Sequence, residues 1–221
     1  MKIADKDVTV FKGREPEAPL VILNTVGEEG EPVYQELRKE TDRDFSMAAV
    51  RGLNREEEMT PWPLPDSEKG RLPGSGGGDK YLGKLTEILL PEVLRQLPAR
   101  PRYTALAGYS LGGLFAVYAM YKTDQFARIA SASGSLWYPG FLSFARGNPL
   151  MRKPDRLYFS LGNREAKTRN RMMKTVEENT RELAEWYKCQ GIDVTYRENP
   201  GNHFQDAARR MAAGIAWILE D

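Results

Sequence analysis

Ser110 sits between two glycines in Gly108-Tyr109-Ser110-Leu111-Gly112, and the chain's single histidine, His203, follows far downstream. This is the G-x-S-x-G pattern of a nucleophile elbow, a strand-to-helix turn that lifts a hydroxyl clear of a sheet edge. A serine hydroxyl is a weak nucleophile until a neighbouring base takes its proton. A Ser-His hydrolase built here has to use His203 as that base. Gly108 and Gly112 are expected to remove Cβ atoms that would collide across the turn, and Gly113 to let the helix start close to the strand. The peptide N–H of Leu111 opens that helix, where the dipole favours an oxyanion.

The elements that must position these groups are legible as alternating apolar runs. Thr104-Ala105-Leu106-Ala107 leads into the elbow as a buried strand, and Leu114 to Met120 leaves it as a buried helix. Further strands are expected at Val8–Phe11, Leu20–Leu23, Ser46–Val50, Arg128–Ala132, Arg156–Leu161 and Asp193–Arg197. The continuous run Leu20-Val21-Ile22-Leu23 reads as a parallel strand buried on both faces. Gly27 to Gly30 reads as a turn, and a helix should follow it through about Lys39. Leu82, Leu85, Leu89 and Val93 form a helical stripe interrupted by Pro91, which should kink or restart it. Two more stripes run from Met172 to Tyr187 and from Ala208 to Leu219. Strands alternating with helices imply an α/β fold: an open, mostly parallel sheet with helices on both faces. In such sheets ligands bind at the carboxyl ends of the strands.

That rule places the remaining candidates. His203 lies in Asn199-Pro200-Gly201-Asn202-His203-Phe204, past the last strand and before the last helix. The base needs a carboxylate to hold its tautomer and stabilise its cation. Glu165 is the candidate, four residues beyond the Arg156–Leu161 strand; Glu198 could compete, and a Ser-His dyad helped by water remains open. Asp155 and Asp193 precede their strands and fall at the wrong edge. Asp206 opens the last helix, where capping is the ordinary role. The second oxyanion donor should come from Asn24-Thr25-Val26, with the N–H of Thr25 chosen and Asn24 or Val26 fitting nearly as well.

Two segments break the rhythm. Asn54 to Asp79 is an insertion rich in charge, proline and glycine. It follows a strand's carboxyl end and should hang near Ser110. Gly134 to Asn148 carries Trp137, Tyr138, Phe141 and Phe144. Trp62 and Trp137 are candidate substrate-binding residues; alternatively, they anchor loops to the core.

The chain has 221 residues, the length of one α/β domain. Its 32 basic and 31 acidic residues nearly cancel, so neither nucleic acid nor an anionic membrane is an expected partner. The N-terminus lacks an apolar signal core, no stretch is long enough to span a bilayer, and the lone Cys189 cannot form an internal disulfide. These features read as a cytoplasmic protein, monomer or homodimer. One histidine and one cysteine leave no metal-ligand set. No phosphate-binding glycine motif is present either, so no cofactor is expected.

Gly108-Tyr109-Ser110-Leu111-Gly112-Gly113, Ser133-Gly134-Ser135-Leu136-Trp137, Ser160 to Glu165 and Gly201-Asn202-His203-Phe204 together resemble the putative-esterase family of α/β-hydrolases. The resemblance runs from about Leu20 to Leu219. It implies hydrolysis of a small-molecule carboxylic ester, with Ser110 as nucleophile, His203 as base and Glu165 as acid. That family's substrates include small acyl esters, glutathione thioesters and catecholate siderophore lactones. The extra N-terminal domain of some siderophore esterases is not expected here, so that substrate does not simply carry over. Acyl transfer by the same nucleophile, or a non-catalytic binding protein that keeps the elbow as scaffold, are the alternatives.

Overall fold

The computed structural model describes residues 1–64 and 74–221. Eight strands form one sheet: β1 (Lys2–Ile3), β2 (Lys6–Phe11), β3 (Leu20–Asn24), β4 (Ser46–Arg51), β5 (Thr104–Tyr109), β6 (Arg128–Ala132), β7 (Arg156–Gly162) and β8 (Asp193–Asn199). Their order is β1-β2-β4-β3-β5-β6-β7-β8. The six strands from β4 to β8 in that order are parallel, as the alternating pattern implies. At one edge β2 pairs antiparallel with β4 and with β1. β1 has only two residues and no apolar alternation for the sequence to reveal.

All five residues of β3 are buried, because both faces of the sheet are covered. Its side chains alternate between two cores. Val21 and Leu23 pack with Val33 and Leu37 of α1 (Gly30–Glu40) and with Met211 and Ile215 of α8 (Ala207–Leu219). Leu20 and Ile22 join the opposite core with Leu85, Leu89 and Val93. That core also takes Leu114 and Phe115 of α5 (Leu111–Ala119) and Leu183 and Tyr187 of α7 (Val176–Cys189). Each such side chain contributes about 1.5–3 kcal/mol on burial. The sheet is thereby held rigidly between two helical layers, with its carboxyl edge free for loops.

Pro91 does not stop its helix. α3 (Gly78–Lys84) widens into a π-turn at Leu85–Leu89 and runs on without a break into α4 (Leu90–Leu94), which holds the proline. The π-turn shifts the hydrogen-bond ladder just before the residue that lacks an N–H. The described part of the insertion has structure of its own. Arg55–Glu58 is one helical turn, α2, and Pro63 bridges Ser75 in antiparallel fashion, tying the two limbs together. Pro65 and the rest of the expected insertion up to residue 73 lie outside the described residues.

Candidate active site

β5 delivers the chain into the elbow and α5 carries it away. Ser110 stands between them at φ 58° and ψ −122°, a conformation that side chains rarely adopt. Its N–H is held by the Ala132 carbonyl, 3.2 Å away on the neighbouring strand. The glycine requirement differs from expectation. A Cβ on Gly108 would fall inside the Gly112 carbonyl, and one on Gly113 would meet Ser131 Oγ at 2.8 Å and the Gly134 Cα at 2.9 Å. A Cβ on Gly112 would rest 3.6 Å from its nearest neighbours, an ordinary contact. The close approach of helix to strand therefore depends on Gly108 and Gly113.

His203 and Glu165 arrive from the loops after β8 and β7. His203 Nε2 lies 3.0 Å from Ser110 Oγ, and its Nδ1 lies 2.7 Å from Glu165 Oε2. The Tyr109 hydroxyl donates to the His203 carbonyl at 2.8 Å. Burial pushes this phenol up, so it stays a protonated donor. The Glu165 side chain is only 4% exposed, and its second oxygen accepts from the Gly162 N–H at 2.6 Å, Ser133 Oγ at 2.7 Å and Arg210 Nη1 at 3.2 Å. Burial alone would raise its carboxyl. The hydrogen bonds from His203, Gly162 and Ser133 outweigh burial and hold it below the usual carboxylate range. The site thus contains a hydroxyl, an imidazole and an ionised carboxylate in one hydrogen-bonded line.

Other candidates resolve differently. Glu198 is exposed and paired with Arg181 at 3.0 Å, away from the imidazole. Asp206 sits at φ 52° and makes no side-chain cap. The Thr25 N–H is spent on the Val50 carbonyl at 2.8 Å, because it continues the β3–β4 ladder by one residue. It is not free for an oxyanion. The next amide, Val26, has no hydrogen-bond partner among the described residues and lines the same cleft as Ser110 and Leu111. Trp62 is an anchor: its Nε1 donates to the Pro139 carbonyl at 2.9 Å, and its ring packs on Tyr118, on Tyr138 and on Phe141 and Phe144 of α6 (Phe141–Gly147). Trp137 does line the cleft. Ser133 and Arg210 join the site without a role that the sequence assigns. The sequence marks them only as a serine directly after the β6 run and an arginine inside an apolar helix.

The cleft has two arms that meet at Ser110, Leu111 and His203, each about 420 Å³. One is mainly apolar, walled by Leu23, Val26, Val33, Met59 and Met211. The other carries more polar side chains, Ser135, Arg164 and Lys167, beside Trp137, Met173 and Val176. Arg55 of the insertion borders both. Among the described residues no cluster of three or more His, Cys, Asp or Glu could hold a metal ion, and no helix is long and apolar enough to cross a membrane.

Sheet order, elbow and loop placement define an α/β-hydrolase. The family described as Putative esterase matches residues 32–213, and the chain belongs to that Esterase family of ester hydrolases. It is 27% identical over 183 residues to uncharacterized protein YbbA of Bacillus subtilis, covering 79% of this chain and 73% of that one. It is 26% identical over 202 residues to the ferri-bacillibactin esterase BesA of Bacillus subtilis, covering 86% of this chain and 65% of BesA. The siderophore hydrolase EstA from Aspergillus nidulans shares the fold at TM-score 0.71 and 19% identity, over 97% of this chain and 94% of that one. An IroE-like serine hydrolase from Shewanella oneidensis does so at TM-score 0.76 and 16% identity, over 96% and 75%.

Proposed function

We propose that the protein is a serine carboxylic-ester hydrolase that works through an acyl-enzyme, on a siderophore-type or similar small ester. Ser110 Oγ attacks the ester carbonyl carbon as His203 Nε2 accepts its proton. The N–H groups of Leu111 and Val26 hold the oxyanion. Collapse expels the alcohol, which takes the proton from His203. Water activated by the same imidazole then releases the acid. Glu165 keeps the Nδ1–H tautomer and stabilises the imidazolium. The observation that carries this reading is the unbroken line Ser110–His203–Glu165, at 3.0 and 2.7 Å.

The cleft supports the substrate class. Arg164 and Lys167 have no acidic partner among the described residues, which suits an ester bearing anionic iron-binding groups. The similarity to BesA, a ferri-bacillibactin esterase by name, points the same way. The test is hydrolysis of p-nitrophenyl acetate, p-nitrophenyl butyrate and a catecholate triester by wild type and Ser110→Ala. Turnover that vanishes in the variant is expected. Turnover that survives it would refute the reading.

A further inference from the structure

We propose that Arg210 is a positioning residue, tying the Glu165 loop to the His203 loop so that the imidazole faces Ser110 in the correct tautomer. The inference rests on the esterase reading above and adds a residue to it. Arg210 projects from α8, and its side chain is only 3% exposed. Nη1 donates to the Asn202 carbonyl at 2.9 Å and to Glu165 Oε1 at 3.2 Å, with a longer approach of 3.4 Å to the Tyr109 hydroxyl. Nη2 donates to the Pro200 carbonyl at 2.7 Å. One planar guanidinium therefore grips the carboxylate and two carbonyls on the loop that ends in the base.

The surroundings are shaped to admit it. A Cβ on Gly162 would lie 2.5 Å from the Gly201 carbonyl and 2.9 Å from Arg210 Nη1. The two loops also meet directly, through Arg164 N–H to the Gly201 carbonyl at 3.0 Å and Gly201 N–H to Asn163 Oδ1 at 3.0 Å. Tyr109 anchors the His203 carbonyl. With Arg210 in place, the carbonyls of residues 200, 202 and 203 are all fixed. A buried ion pair is weak evidence for stability, since apolar residues of similar volume often do as well. What a guanidinium adds is a rigid fork of donors in fixed directions, which a lysine cannot reproduce.

The test uses Arg210→Met and Arg210→Lys in the full chain, with two readouts. The first is kcat and KM on a p-nitrophenyl ester. The second is the downfield proton resonance of the His203 Nδ1–H, free of overlap because the chain has one histidine. Misplacing the imidazole by about 1 Å should lower kcat about 100-fold in Arg210→Met, with KM within threefold. The resonance should broaden or vanish. Arg210→Lys should lose about tenfold in kcat, since it can keep only part of the grip. A folded Arg210→Met with wild-type kcat and resonance would overturn the proposal. Where that variant fails to fold, a wild-type kcat and resonance in Arg210→Lys would do the same. Absence of serine-dependent turnover in the wild type would strike the esterase reading instead, and the resonance would still judge Arg210.

Discussion

Glu165→Gln keeps the shape of the side chain and removes its charge, at a position where both oxygens are committed. Oε1 accepts from Ser133, Gly162 and Arg210, and Oε2 faces His203 Nδ1. A glutamine has one oxygen. If that oxygen serves the three donors, the amide NH2 is presented to Nδ1. The imidazole is then driven to the tautomer with its proton on Nε2, which cannot accept from Ser110. If the amide turns round, its NH2 meets three donors. Loss of the correct tautomer costs kcat about 10³–10⁴-fold, or about 4–5.5 kcal/mol at 1.36 kcal/mol per decade. Stability falls too, because Arg210 is left buried without its counter-ion. Breaking a buried pair costs about 3–5 kcal/mol. Arg210 retains its bonds to Asn202 and Pro200, so the lower figure applies. At about 2–4 °C per kcal/mol for a chain of this size, Tm should drop about 6–12 °C. Steady-state hydrolysis of p-nitrophenyl butyrate and a thermal melt measure the two effects. A variant that keeps kcat within tenfold and melts with the wild type would refute the reasoning at both points.

Gly108→Ala should yield little folded protein, because its Cβ meets the Gly112 backbone. Gly112→Ala should fold and keep kcat within a few-fold, because its Cβ has room; soluble yield and kcat for both decide it. Trp62→Ala should lower Tm with KM unchanged, while Trp137→Ala should raise KM with a smaller effect on Tm, since only Trp137 lines the cleft. The Glu165 carboxyl is held below its usual range, so the stability it contributes is complete above the unfolded carboxylate pKa of about 4.3 and is lost as pH falls through the lower folded value. Tm should therefore hold from pH 7 to about 5 and fall below that, and a Tm that rises on acidification to pH 4 would contradict the assignment.

The sheet was legible because its central strands are buried on both faces and read as continuous apolar runs, Leu20 to Leu23 above all. The serine, histidine and carboxylate were legible because each follows a strand's carboxyl end. What stayed hidden depends on contacts between distant segments. Thr25 looks like a loop residue, but it extends the ladder onto Val50 and passes the oxyanion position to Val26. Trp62 was indistinguishable from a pocket wall until its ring met four others brought in by α5 and the segment after β6. Arg210 sits beside the exposed Arg209 in sequence, and only the docking of α8 under the two loops separates a buried clamp from a surface charge. Ser133 is concealed in the same way: its φ of 45° turns the hydroxyl onto Glu165, and no residue pattern announces such a turn.

The central claim is that Ser110 is the activated nucleophile. Its most direct test is reaction with a fluorophosphonate, read by intact mass and peptide mapping. The account predicts one phosphonyl group per chain, on Ser110, lost in Ser110→Ala and formed at least 100-fold more slowly in His203→Ala. A chain that stays unmodified, or carries the label on another residue, would contradict it.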